Sequence, residues 1–304
     1  MFLFQPTPHT EASKFIADKP ALTRDAFAKL LPELRARAFT IAGVQSFDVM
    51  QSIRDRIADL PLGANWADIK GDIVPQLVPY FVDPDGDAET QAAQRVAADR
   101  RAELLIRTHG QQAYATASYK IADAQRDIFP FWMYQTLQDG AVRPSHAALD
   151  GIVLPCNDPF WATHTPPWDW GCRCQFIAIA EADAEAMREQ DADKPYEQQR
   201  VLDEDARNLL NNANTIYRGA NLATGQGHPL PFNVAAPSQT GKPNAYTWHP
   251  DAQTLTLDDI KARYDAPTWG AFERWAKATV IPEQGRTIME WLNGSPGISG
   301  EGGL

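Results

Sequence analysis

One stretch constrains this chain more than any other. Residues 131–180 read FWMYQTLQDGAVRPSHAALDGIVLPCNDPFWATHTPPWDWGCRCQFIAIA. They hold two of the six histidines, all three cysteines and four of the nine tryptophans. His146 is followed after a 17-residue gap by His164, and Cys172 and Cys174 complete the pattern H-x17-H-x7-C-x-C. The turn-forming residues threaded through it leave little room for regular structure. Order must come from side-chain chemistry or from a packed aromatic core.

Three readings fit those residue types. Two neutral imidazoles and two thiolates are the tetrahedral, borderline-soft donor set that Zn²⁺ prefers, so His146, His164, Cys172 and Cys174 form a candidate structural zinc site. Asp150 or Cys156 is an alternative to one of the four, or a hydrogen-bond partner that orients a ligand histidine, although Cys156 is left out of the favoured set. A second reading makes Cys172 or Cys174 a thiolate nucleophile activated by His146 or His164, with Asp150 as orienting group. In the third, these are satisfied polar groups and buried thiols among tryptophans that serve as core anchors.

Composition limits the function classes. A chain of 304 residues can bury a sizeable core. A formal net charge of −11 disfavours binding nucleic acid through phosphate contacts, and specific nucleic-acid binding is not expected. No segment reaches the roughly 20 apolar residues needed to cross a bilayer, so no membrane partner is expected. The opening MFLFQP lacks the basic and apolar regions of a secretory signal. Three cysteines, two of them one residue apart, suit a reducing compartment better than a disulfide framework.

The periodicities predict an α+β fold in three parts. Residues 1–81 read as an amino-terminal arm, to about residue 23, followed by a helical docking module. Pro32 suits a helix N1 position, Ser46 and Asn65 suit N-caps, and Ile53, Ile57, Ile69, Ile73 and Leu77 form helical stripes. The acidic turn VDPDGD at 82–87 reads as a boundary, and residues 85–190 as a small mixed α/β core with a loop-rich Cys/His region. Within it a long helix is expected from Ala88 to Asp123, with Gly110 as a potential break and Arg107-Thr108-His109 as ordinary helix surface. FWMYQTL and CRCQFIAI read as strands, which places the two CRC cysteines on one face. Pro144 begins a short helix carrying His146 and Asp150 one turn apart, on the same face. Residues 191–304 read as a partly irregular helical region, with a helix near Glu197 to Ala213, a Gly-, Asn- and Pro-rich span from Gly219 to Asn244, two short helices and a frayed end.

Several of these segments, in order, carry a family resemblance. ARAFTIAG at 36–43, LLIRTHGQQAYATASY at 104–119, RPSHAALDG at 143–151 and PFWATHTPPWDWGCRC at 159–174 resemble the head morphogenesis, or minor head protein, family of Mu-like tailed bacteriophages (F-like minor capsid proteins). The likeness covers residues 24–180. It implies a minor capsid protein that acts near the portal during prohead assembly, with the portal protein or major capsid protein as partner. It further implies a place in the virion, host cytoplasm during assembly, and in some relatives ejection with the DNA. Within the family pattern fall His146, Asp150, Gly151, Cys172, Arg173 and Cys174. A structural role is thereby favoured over an enzymatic one. The rival is a Cys/His or zinc-dependent hydrolase carried in the particle.

Overall fold

A computed structural model describes residues 9–194, 198–202, 216–221, 226–230 and 255–294. The chain is α+β and divides into two compact units, residues 1–117 with 247–304, and residues 118–246.

The first unit is helical. Residues 9–23, expected as an arm, instead contain helix α1 (Thr10–Ala17), because Ala12 and Ile16 recur at helical spacing and are fully buried. Next come α2 (Arg24–Lys29), capped by Thr23, and α3 (Pro32–Arg35), with Pro32 at its first turn. Helix α4 (Phe47–Ala58) is capped by Ser46, whose hydroxyl accepts from Val49 N–H, and α5 (Trp66–Phe81) by Asn65, as their sequences predict. Helix α6 (Ala88–Ala124) follows. The turn at 82–87 joins α5 to α6 inside this unit rather than separating domains. The reason is that Ala98, Ala102 and Ile106 of α6 pack into one core with Phe39, Ile53, Ile57, Ile69 and Ile73. Each fully buried isoleucine contributes about 1.5–3 kcal/mol.

Gly110 does not break α6. A Cβ there would lie 2.9 Å from Leu60 Cδ2, so glycine admits a close approach of the turn at Leu60–Leu62. His109 lies inward, its ring 4.6 Å from that of Phe39, which corrects its placement on an exposed helix surface.

A second core in this unit unites distant sequence. Leu30 and Leu34 pack with Trp269, Phe272, Ile281, Ile288 and Trp291. The last five lie in α11 (Ala266–Ala278), β6 (Val280–Ile281) and α12 (Ile288–Gly294); Ile260 of α10 (Leu257–Lys261) joins the same core, and β7 (Arg286–Thr287) pairs with β6. The two short helices read from sequence are α10 and α11. A buried guanidinium reinforces the join: Arg54, 7% exposed, donates to the Lys19 carbonyl and pairs with Glu283 at 2.8 Å.

The second unit is organised by a three-stranded antiparallel sheet of order β2-β1-β3: β1 (Phe131–Gln135) lies between β2 (Val153–Pro155) and β3 (Gln175–Ile179). Alternation along β1 sends Trp132 and Tyr134, both fully buried, into a core with Leu149, Ile152, Phe160, Trp161 and Trp168. Phe131 faces a smaller cluster with Val153, Ile179 and Ala184, the last on α9 (Glu181–Asp191). Short helices α7 (Pro144–Ala147) and α8 (Trp161–His164) lie in the connections. The Gly-rich span contains an antiparallel pair, β4 (Ile216–Asn221) and β5 (Gln226–Leu230). Most of the helix expected near 197–213, and the expected frayed carboxy-terminal end beyond Gly294, lie outside the described residues.

Asp191 closes α9 by ion pairing. Its carboxylate, 2% exposed, takes Arg200 Nε at 2.8 Å and Lys194 Nζ at 2.6 Å. Burial pushes its pKa upward, but the bonds from Arg200 and Lys194 outweigh burial and hold it below the usual carboxylate range.

Candidate metal centre

The site is assembled from β1, α7 and the loop before β3. Arg143 enters α7 in extended conformation and Pro144 starts the helix, which fixes the ring of His146 one turn on. His146 is 2% exposed and stacks on the Trp168 indole at 4.0 Å, with 9° between the planes. Gly171, at φ +66°, turns the chain so that Cys172 and Cys174 point inward. Both thiols are buried. They precede the strand rather than lying on it, since β3 begins at Gln175. The glycine turn, not strand alternation, therefore brings them to one object.

That object is His146 Nδ1. It lies 3.6 Å from Cys172 Sγ, 3.5 Å from Cys174 Sγ and 3.3 Å from the Tyr134 hydroxyl. The ligand atoms of His146, Cys172 and Cys174 all fall within 4.8 Å of one another, which is metal-binding proximity. The Tyr134 oxygen also accepts the Trp168 indole N–H at 2.8 Å. On the other side of the ring, Arg143 Nη1 is 3.1 Å from Nε2, and the same guanidinium pairs with Asp169 and donates to the Trp170 carbonyl. A guanidinium only donates, so in this arrangement Nε2 accepts and the ring proton sits on Nδ1, facing the two sulfurs.

The thiols share their ionisation. The hydrogen bond from Cys174, working against burial and assisted by His146, pulls Cys172 down to about 5. The same Cys172 bond, with burial, pushes Cys174 above its ordinary value. The pair thus carries one negative charge at neutral pH. Burial, followed by the charges of Cys172 and Cys174, pushes Tyr134 well above the ordinary phenol value. A cavity of about 30 Å³, lined in part by Arg143, His146, Cys172, Arg173 and Cys174, adjoins the cluster. It has room for a water molecule or an ion.

The group of mutually close donor atoms does not include the other two residues singled out from sequence, although the His164 ring lies 4.9 Å from that of Trp168. His164 stacks on Phe160 at 4.7 Å, and its Nδ1 meets the Thr163 hydroxyl at 2.7 Å. Asp150 follows the end of α7, which stops at Ala147, so the helical same-face relation to His146 does not apply. Its two oxygens accept from Thr136 N–H at 2.7 Å and Gln138 Nε2 at 2.8 Å, pinning the turn after β1. Sequence reasoning missed Tyr134, Arg143 and Trp168. Alternation placing Tyr134 on the core face with Trp132 was the available signal. Nothing in the sequence distinguishes its hydroxyl from that of any other core tyrosine.

Residues 83–177 match the family described as Phage Mu protein F like protein. That stretch is what makes the chain similar to the family. His146, Cys172 and Cys174 all fall inside it. Capsid assembly protein F of Escherichia phage Mu is 30% identical over 160 residues, covering 50% of this chain and 36% of that protein. The Mu-like prophage FluMu F protein of Haemophilus influenzae is 33% identical over 155 residues, covering 50% of this chain and 37% of its own. The matched portion therefore spans little more than a third of either relative. No solved structure matches the chain.

Proposed function

We propose that the chain is a minor head protein of a Mu-like tailed phage, contacting portal or major capsid subunits during prohead assembly. The observation that carries this reading is the F-like match at residues 83–177, shared with a relative named for capsid assembly. The site geometry is compatible with a structural part. Its three clustered ligand residues are buried, and the adjoining cavity of about 30 Å³ is the size of an ion, far below the roughly 300 Å³ of an ordinary small-molecule site.

A virion-carried hydrolase is the second reading, favoured by Cys172 Sγ lying 3.6 Å from His146 Nδ1. Against it, His146 Nε2 faces the Arg143 cation instead of an orienting carboxylate, and both Asp150 oxygens are engaged elsewhere. Deleting the coding sequence from an inducible prophage separates the two. Under the structural reading, electron microscopy of the induced lysate shows at least a tenfold drop in DNA-filled heads, restored by the gene supplied in trans. Filled heads at normal number that fail to infect would support the particle-borne enzyme. Unchanged head number and infectivity would overturn both.

A further inference from the structure

We infer that His146, Cys172 and Cys174 bind one zinc ion through Nδ1 and the two Sγ atoms, with the Tyr134 oxygen at the fourth corner and His164 outside the ligand set. This rests on the geometry of the cluster and not on the head-assembly reading.

The distances carry the inference. Zinc holds sulfur at about 2.3 Å and imidazole nitrogen at about 2.0–2.1 Å, so in a tetrahedral site the sulfur–nitrogen edge is about 3.6 Å. The corresponding nitrogen–oxygen edge is about 3.3 Å for ordinary zinc–oxygen lengths. Between His146 Nδ1 and its neighbours the separations are 3.6 and 3.5 Å to sulfur and 3.3 Å to the Tyr134 oxygen. Three edges from one vertex thus match a zinc tetrahedron.

Donor chemistry agrees. Two thiolates and an imidazole favour a borderline-soft ion over calcium or magnesium, which take oxygen. Zinc would replace the ring proton on Nδ1, which moves to Nε2, and the one proton still held by the Cys172–Cys174 pair, which is released to solvent. Arg143 then gives up its contact with Nε2 and keeps Asp169 and the Trp170 carbonyl as partners. Trp168, stacked on His146 and hydrogen-bonded to Tyr134, holds both donors in place from outside. Such a centre ties β1, α7 and the 171–174 loop together where the short elements provide few backbone bonds of their own.

The test is metal content and cobalt spectroscopy on the purified full chain. Elemental analysis is expected to give about one zinc per wild-type chain. Occupancy should fall at least tenfold in Cys172→Ser and His146→Gln and remain at the wild-type level in His164→Gln. Tyr134→Phe should keep the ion but weaken its affinity by about tenfold or more. Because a ligand variant can unfold, wild-type protein is also stripped and titrated with Co²⁺. The expected result is tetrahedral d–d absorption with thiolate charge-transfer bands, saturating at about one equivalent. Wild-type protein without stoichiometric zinc and without a tetrahedral cobalt spectrum would overturn the site. Loss of zinc in a folded His164→Gln variant would overturn the assignment of ligands, and unchanged affinity in Tyr134→Phe would remove the tyrosine from the fourth corner.

Discussion

Replacing Lys19 with methionine is expected to stabilise the protein by about 3 kcal/mol at pH 6, with the gain fading as the pH approaches 10. Lys19 is 3% exposed, at the end of α1. Its ammonium reaches one neutral acceptor, Gln112 Oε1 at 3.3 Å, and lies 4.1 Å from the Phe15 ring centroid. The cationic Arg54 donates to the Lys19 carbonyl, and His109 is the other titratable neighbour, itself held neutral by burial and by Lys19. Burial accordingly lowers the Lys19 pKa from 10.5 to about 7. The unfolded chain binds this proton more tightly than the folded one. Stability therefore rises with pH through the window from about 7 to 10.5. Below pH 7 the full penalty applies, about 5 kcal/mol from the shift alone, reduced by the hydrogen bond to Gln112 that methionine forfeits. Urea denaturation of both proteins at pH 6, 8 and 10 measures this. A gain independent of pH, or a loss at pH 6, would contradict the burial argument.

Trp132→Ala is expected to cost about 3–5 kcal/mol, the usual range for deleting a buried large aromatic. Trp132 is fully buried at the centre of the β1 face. Its ring lies 4.7 Å from Phe176, 5.4 Å from Tyr119 and 5.5 Å from Trp161, so truncation leaves three aromatic partners around a void. The indole N–H is buried without a hydrogen-bond partner. Trp132→Phe should consequently cost less than half as much, because it removes an unsatisfied donor along with some volume. Hydrogen exchange of the β1 and β3 amides reports the effect directly, with protection lost in the alanine variant and largely kept in the phenylalanine one. Equal losses in the two variants would show that the indole makes a bond essential to the core.

Local signals were the legible part of the fold. Ser46, Asn65 and Pro32 mark helix starts because capping and proline geometry depend on immediate neighbours. The alternation of Trp132 and Tyr134 likewise identifies β1. Long-range pairing was not legible. No local pattern announces that Leu30 and Leu34 pack on Trp269 and Trp291, or that Glu283 meets Arg54 across more than two hundred residues. Helix α1 was hidden by the prolines around it. At the site, chemistry picked out His146, Cys172 and Cys174, which the fold brings together. His164 matched by residue type and spacing, but α8 holds it against Phe160 and Thr163. Asp150 was misplaced because helical spacing was carried beyond a helix that ends at Ala147.

The proposal that this chain is built into phage heads is most directly tested by its abundance in purified particles. Quantitative mass spectrometry of gradient-purified proheads and mature particles from an induced lysate is expected to find it in both. Its absence from proheads and particles alike, with the chain present in the surrounding lysate, would contradict the account.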